Sequence, residues 1–185
     1  MKRLMVFIDG TNFLRGLGRE IGVDDLLAYK PSDETLRLAK IYINLAITAI
    51  SKTDLIRTYW FASYKGSEEN KIKLSEKIRN LNFEPLLYPL RDGREKRVDI
   101  ALTMSMLTNA FNHNFDLGLL IAGDEDYLDL VNEVKRYGPI MCGSYFLEGL
   151  SPKLKLAFDH FAPIPHPTKA ENYLELVRLI MEHYK

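Results

Sequence analysis

Asp9, Asp99, Asp124 and Asp126 are the residues whose settings in this chain point to chemistry. Asp9 ends the apolar run LMVFI and opens DGTN, which sets an acid, a turn glycine and two further polar side chains at one place. Asp124 and Asp126 fall in GDEDY, directly after the uncharged run GLLIAG, and Asp99 stands behind the basic loop RDGREKR. Each acid also has an ordinary use. An aspartate after a strand often caps a helix, and one in a first helical turn complements the helix dipole. Gathered in one pocket they would need something more, because two carboxylates about 5 Å apart repel by roughly 3 kcal/mol at an effective dielectric of about 20. A cation relieves that repulsion. Oxygen donors without thiolates or clustered imidazoles favour a hard ion, Mg2+ or Mn2+. Water on such an ion is a nucleophile for a phosphodiester, and the ion stabilises charge on the phosphoryl oxygens, so the pattern points to hydrolysis of a nucleic-acid backbone.

The acids can meet only if the elements that carry them are neighbours. Residues 4–8 are a continuous apolar run of strand formers, which predicts a strand covered on both faces. From Ser32, Leu36, Ala39, Ile43, Ala46, Ile47 and Ile50 fall on one side of a long helix capped by Ser32 or Asp33. DLIRTYWFAS reads as a strand, SEENKIKLSEKIRNL as an amphipathic helix begun by Ser67, and FEPLLYPL as a third strand. VDIALTMSMLTNAF is the next helix, DLGLLIAG a fourth strand, DEDYLDLVNEVKRYG a helix closed by Gly138, and IMCGSYF a fifth strand. SPKLKLAFDHFAPI contributes a short helix, and PIPHP is a stiff connection. The alternation predicts an α/β, Rossmann-like parallel sheet of about five strands with helices on both faces. Ligands bind such sheets at the carboxyl ends of strands where the winding reverses. If the first and fourth strands are central neighbours, Asp9, Asp124 and Asp126 converge there, and Asp99 reaches the same crevice from the helix before the fourth strand.

The 185 residues suit one substantial domain, over 1–162, followed at 163–185 by the connection and a C-terminal helix. In that tail Thr168 and Glu171 have capping-box spacing, and Leu174, Val177, Met181 and Tyr184 form one stripe. The stripe is expected to be buried on the domain or on a second copy in a homodimer. With 25 basic and 25 acidic residues the net charge is zero, so no global field gathers polyanions. Cys142 is the single cysteine, and His113, His160, His166 and His183 show no ligand spacing, which excludes a zinc site and an internal disulfide. The N-terminal apolar run is too short for a signal peptide or a membrane span, so a cytoplasmic protein without membrane association is expected. Tyr59, Trp60 and Phe61 lie in a predicted strand and read as core rather than as a platform for bases.

FIDGTNF at 7–13, KRVDIAL at 96–102 and DLGLLIAGDEDYLDLVNEVKRYG at 116–138 resemble the three signature blocks of the NYN domain, in the LabA-like branch of the PIN-like nuclease superfamily. The resemblance runs from about residue 4 to about 162 and includes LSPKLKLAFDHFAPI around Asp159. It implies a Rossmann-like sheet, an aspartate cluster holding divalent metal, and ribonuclease activity on RNA. On that resemblance Asp9, Asp99 and Asp124 hold the ion, and Asp126 orients a water or a second ion. Asn12 and Ser105 position ligands, and Lys96, with Arg94 and Arg97 of the basic loop, contacts phosphates. Ser105 departs from the pattern, since members usually carry an aspartate there; Ala122, in place of the usual serine, is a minor change. A neutral hydroxyl at Ser105 weakens the hold on a second ion, which keeps open a non-catalytic or weakly catalytic RNA-binding or regulatory module of the same fold. FIDGT also echoes the first motif of the haloacid-dehalogenase phosphatases, but Phe7 stands where that motif needs an aspartate.

Overall fold

The computed structural model describes residues 1–22, 28–50, 52–90 and 97–165. In order they form β1 (Lys2–Asp9), α1 (Gly10–Ile21), α2 (Asp33–Thr48), β2 (Thr53–Tyr64), α3 (Glu68–Arg79), β3 (Glu84–Pro89), α4 (Val98–Phe111), β4 (Leu117–Ile121), α5 (Leu128–Arg136), β5 (Ile140–Gly143), α6 (Pro152–Ala157) and β6 (His160–Phe161). All strand pairs are parallel, and the strand order is β3-β2-β1-β4-β5-β6. The sixth strand is a two-residue addition beyond the five expected. No helix of the described residues is long and apolar enough to cross a membrane. Arg94, Lys96 and the predicted helix at 168–185 lie outside the described residues.

The sheet separates two cores, and strand alternation assigns each side chain to one of them. On β1, Leu4, Val6 and Ile8 enter the core formed with Phe13 and Leu17 of α1, Ala39 and Ile43 of α2, and Ile78 of α3. Met5 and Phe7 enter the opposite core with Val98, Leu102 and Met106 of α4 and Val131 and Val134 of α5. The helices start at the expected side chains: Ser32 Oγ accepts the Thr35 N–H at 3.1 Å, and Ser67 Oγ accepts the Asn70 N–H at 3.4 Å. Gly138, at a φ of 103°, follows the end of α5 in the left-handed region that glycine tolerates best.

The chain winds outward from β1 through β2 to β3, then returns to lay β4 on the other side of β1. The winding thus reverses between β1 and β4, and the register sets Ile8 beside Ile121, so Asp9 and the segment after Ile121 leave the sheet side by side. Continuing the alternation, Asp9 belongs to the face that carries α4 and α5.

Candidate active site

Asp9 is 4 % exposed, and removing an ionised carboxylate from water costs several kcal/mol unless it is paired or hydrogen-bonded. Its Oδ1 accepts the Asn12 N–H at 3.0 Å, which caps α1, and its Oδ2 accepts from the Tyr127 hydroxyl at 2.8 Å. The rest of DGTN fastens this end of β1 to its neighbours. Gly10 is not a turn residue but the first residue of α1, lying so close to Trp60 that an added Cβ would stand 2.3 Å from the indole. Thr11 Oγ1 accepts the Ser63 N–H at 2.9 Å, tying α1 to β2. Asn12 Oδ1 accepts the Gly123 N–H at 3.0 Å, tying α1 to the segment after β4, and the Asn12 carbonyl accepts from the Tyr145 hydroxyl at 2.7 Å.

The acids after β4 divide their labour. Asp124 Oδ1 accepts the Asp126 N–H at 3.2 Å and opens a 3-10 turn over Glu125–Tyr127 that leads into α5. Glu125 is instead engaged by Lys153 Nζ at 2.7 Å and Ser151 Oγ at 3.0 Å, which hold its carboxyl below its ordinary range. Gly123 packs under Tyr145, where a Cβ would meet the ring at 2.3 Å and the Gly149 carbonyl at 2.8 Å. A glycine therefore stands beside each of Asp9 and Asp124 because an aromatic ring from elsewhere in the fold packs too close to leave room for a side chain.

Asp99, in the first turn of α4, accepts from the same Tyr127 hydroxyl at 2.9 Å. One buried phenol thus bridges carboxylates from β1 and α4, with Asp124 and Asp126 close by. Asp99 is exposed as a residue, yet burial of its carboxyl end is the chief cause of a raised pKa. The Tyr127 hydrogen bond opposes the rise, and the charges of Asp124 and Asp126 add to it. Burial, then the charges of Asp9 and Asp99, keep the Tyr127 phenol protonated far above its ordinary range. A phenol has one proton, so both short contacts are strong hydrogen bonds at once when one carboxyl also carries a proton.

Other expected residues take different places. Ser105 is half-buried on α4, six positions beyond Asp99 and so about 120° round an ideal helix from it, and its carbonyl accepts from the Asn109 Nδ2 amide at 2.8 Å. Arg97 is exposed at the start of α4. Asp159 accepts the Met141 N–H at 2.8 Å and pairs with Lys135 at 2.7 Å, an anchor for β5 and α5 rather than a group of the crevice. Cys142 is buried in the other core, with its thiol pKa raised by burial. The donors of the crevice are therefore all oxygens, which fits a hard divalent ion in kind. Among the described residues no three His, Cys, Asp or Glu side chains are gathered closely enough to hold an ion as they lie.

Two features were not anticipated. Tyr127 reads from the sequence as one more apolar position of a helix, although a tyrosine buried behind acids needs an acceptor for its hydroxyl, and that was the available signal. The second is a cavity of about 280 Å³ beside the carboxyl end of β2, lined by Lys30, Lys65, Lys73 and Lys77 with Tyr29 and Tyr64. Lys73 and Lys77 are paired with Glu69 and Asp33, which leaves Lys30 and Lys65 as the cations of this cavity without an ion pair among the described residues.

Comparison with known proteins adds two findings. The NYN domain profile matches residues 3–165. The structure is similar to the crystal structure of a protein of unknown function, VPA0982, from Vibrio parahaemolyticus, with a TM-score of 0.66 at 18 % identity over 89 % of this chain and 93 % of that one. At that identity the likeness concerns the fold alone. No curated protein matches the chain.

Proposed function

The chain belongs to the NYN domain family, part of the PIN-like nuclease superfamily, and on that premise we propose that it is a divalent-metal-dependent endoribonuclease of the LabA-like branch. The observation that carries this reading is the meeting of Asp9 and Asp99 on one buried hydroxyl at the switch point of the sheet, with Asp124 and Asp126 beside them. Asp9, Asp99 and Asp124 would hold Mg2+ or Mn2+, with Asp126 orienting water. When bound, the ion supplies an activated water and stabilises charge on the phosphoryl group. Asn12 acts from behind, locking the Gly123 backbone to α1 and so fixing Asp124 relative to Asp9. Ser105 is assigned a supporting place on α4. Arg94, Lys96 and Arg97 are assigned phosphate contacts, joined by Lys30 and Lys65 of the cavity beside the carboxyl end of β2, and together they would position an RNA strand without reading its sequence. The protein is expected to act in the cytoplasm.

Incubation of the full chain with single-stranded RNA in Mn2+, in Mg2+ and in chelator tests the reading. Cleavage in metal, lost in chelator and in Asp9→Asn, is the expected result. A second reading, an RNA-binding or regulatory module without efficient chemistry, is favoured by Ser105 and by the looseness of the acid group. Tight RNA binding with no cleavage in either metal would establish it and overturn the first.

A further inference from the structure

We infer that Tyr127 is a positioning residue of the crevice, whose hydroxyl ties the Asp99 side chain to Asp9 and so keeps together two of the carboxyl groups that would hold the ion. This rests on the metal-dependent reading above. The three groups differ in freedom. Asp9 is buried and fixed by the Asn12 N–H, and Tyr127 is 2 % exposed, its ring packed in the core with α4 and α5. Asp99 is exposed, on a helix whose N-cap, Arg97, makes no side-chain capping bond. The bond from Tyr127 is the side-chain hydrogen bond that Asp99 makes among the described residues. Without it Asp99 loses its tie to Asp9, and the charges of Asp124 and Asp126 favour its turning towards water. Groups behind metal ligands orient them, and their removal costs about 10–100-fold in metal affinity. Tyr127 comes from the turn after β4, so this contact also makes the geometry of the β1–α4 pair depend on the docking of β4.

Tyr127→Phe removes one oxygen and keeps the ring. The experiment is a double-mutant cycle on the full chain, with wild type, Tyr127→Phe, Asp99→Asn and the double variant titrated with Mn2+ by calorimetry without RNA, and melted in chelator. Tyr127→Phe should bind Mn2+ about 10–100-fold more weakly, and the double variant no more weakly than Asp99→Asn. Melting in chelator should be non-additive in the same way. A structural role of the ring would not produce this dependence on Asp99. Wild-type affinity in Tyr127→Phe, or losses that add in full, overturns the inference and leaves the nuclease reading intact. A wild-type protein that binds no Mn2+ overturns the metal reading and, with it, the ion-positioning role.

Discussion

Asp124 caps the turn after β4 through Oδ1, and an asparagine oxygen makes that bond equally well. Asp124→Asn therefore removes a charge without removing a cap. RNA cleavage in Mn2+ is expected to fall at least 100-fold, while the melting temperature in chelator holds or rises slightly as repulsion is relieved. An active Asp124→Asn protein would contradict a role for this carboxylate in metal binding. Ser105 is tested in the opposite direction. Ser105→Asp adds a carboxylate half-buried on α4, so cleavage in abundant Mn2+ should increase and melting in chelator should occur at lower temperature. If neither changes, the position is remote from the crevice. The acids themselves were legible in the sequence because charge at the end of an apolar strand is conspicuous. The hydroxyl that joins two of them was not, because Tyr127 continues the apolar pattern of the predicted helix and a phenyl ring would satisfy the same pattern.

At the scale of elements, β1 and β4 are fastened at both ends. Tyr127 and Asn12 act at the carboxyl ends, and at the amino ends Asp116 accepts the Arg3 N–H at 2.8 Å and pairs with its guanidinium at 2.8 Å. The Arg3 side chain and backbone N–H hold the Asp116 carboxyl down at about 2. A carboxylate depressed from an ordinary value near 3.8 stabilises the fold above that value and loses its contribution as the pH falls towards 2. Asp116→Asn should therefore show a flatter decline of stability over this acid window, measured by urea unfolding at several pH values, with a small loss at neutral pH because the pair is exposed. Equal pH dependence of variant and wild type would show the pair to be dispensable. The helices α2 and α3 were readable from Ser32 and Ser67, whose capping chemistry is local. Helix α1 was not, because Gly10, Gly16 and Gly18 lower its intrinsic propensity. Gly16 lies where a Cβ would stand 2.6 Å from the Tyr145 hydroxyl oxygen, so tertiary packing sets this composition. Likewise β6 is two residues long and is defined by its pairing with β5 rather than by any pattern of its own.

For the whole molecule, the sequence beyond the described residues carries a stripe of Leu174, Val177, Met181 and Tyr184 that a helix would bury on the domain or in a homodimer. Removing residues 168–185 should lower the melting temperature or shift the oligomeric state in light scattering; no change in either would assign the stripe another purpose. The alternation of strands and helices was enough to give the parallel sheet, and the switch between β1 and β4 followed once those strands were neighbours, whereas the distances inside the crevice depend on contacts that no periodicity encodes. The strand order also sets a schedule for synthesis. β1 is the first strand to leave the ribosome and ends in the middle of the sheet, between β2, which follows soon after, and β4, which begins only at Leu117. Pairing on one flank can begin early, but Asp9 meets Tyr127 only after the second flank is filled. A growing chain thus carries its acids apart until most of it has been translated. Chains arrested before Leu117 are expected to leave added RNA uncut under conditions in which the released protein cuts it.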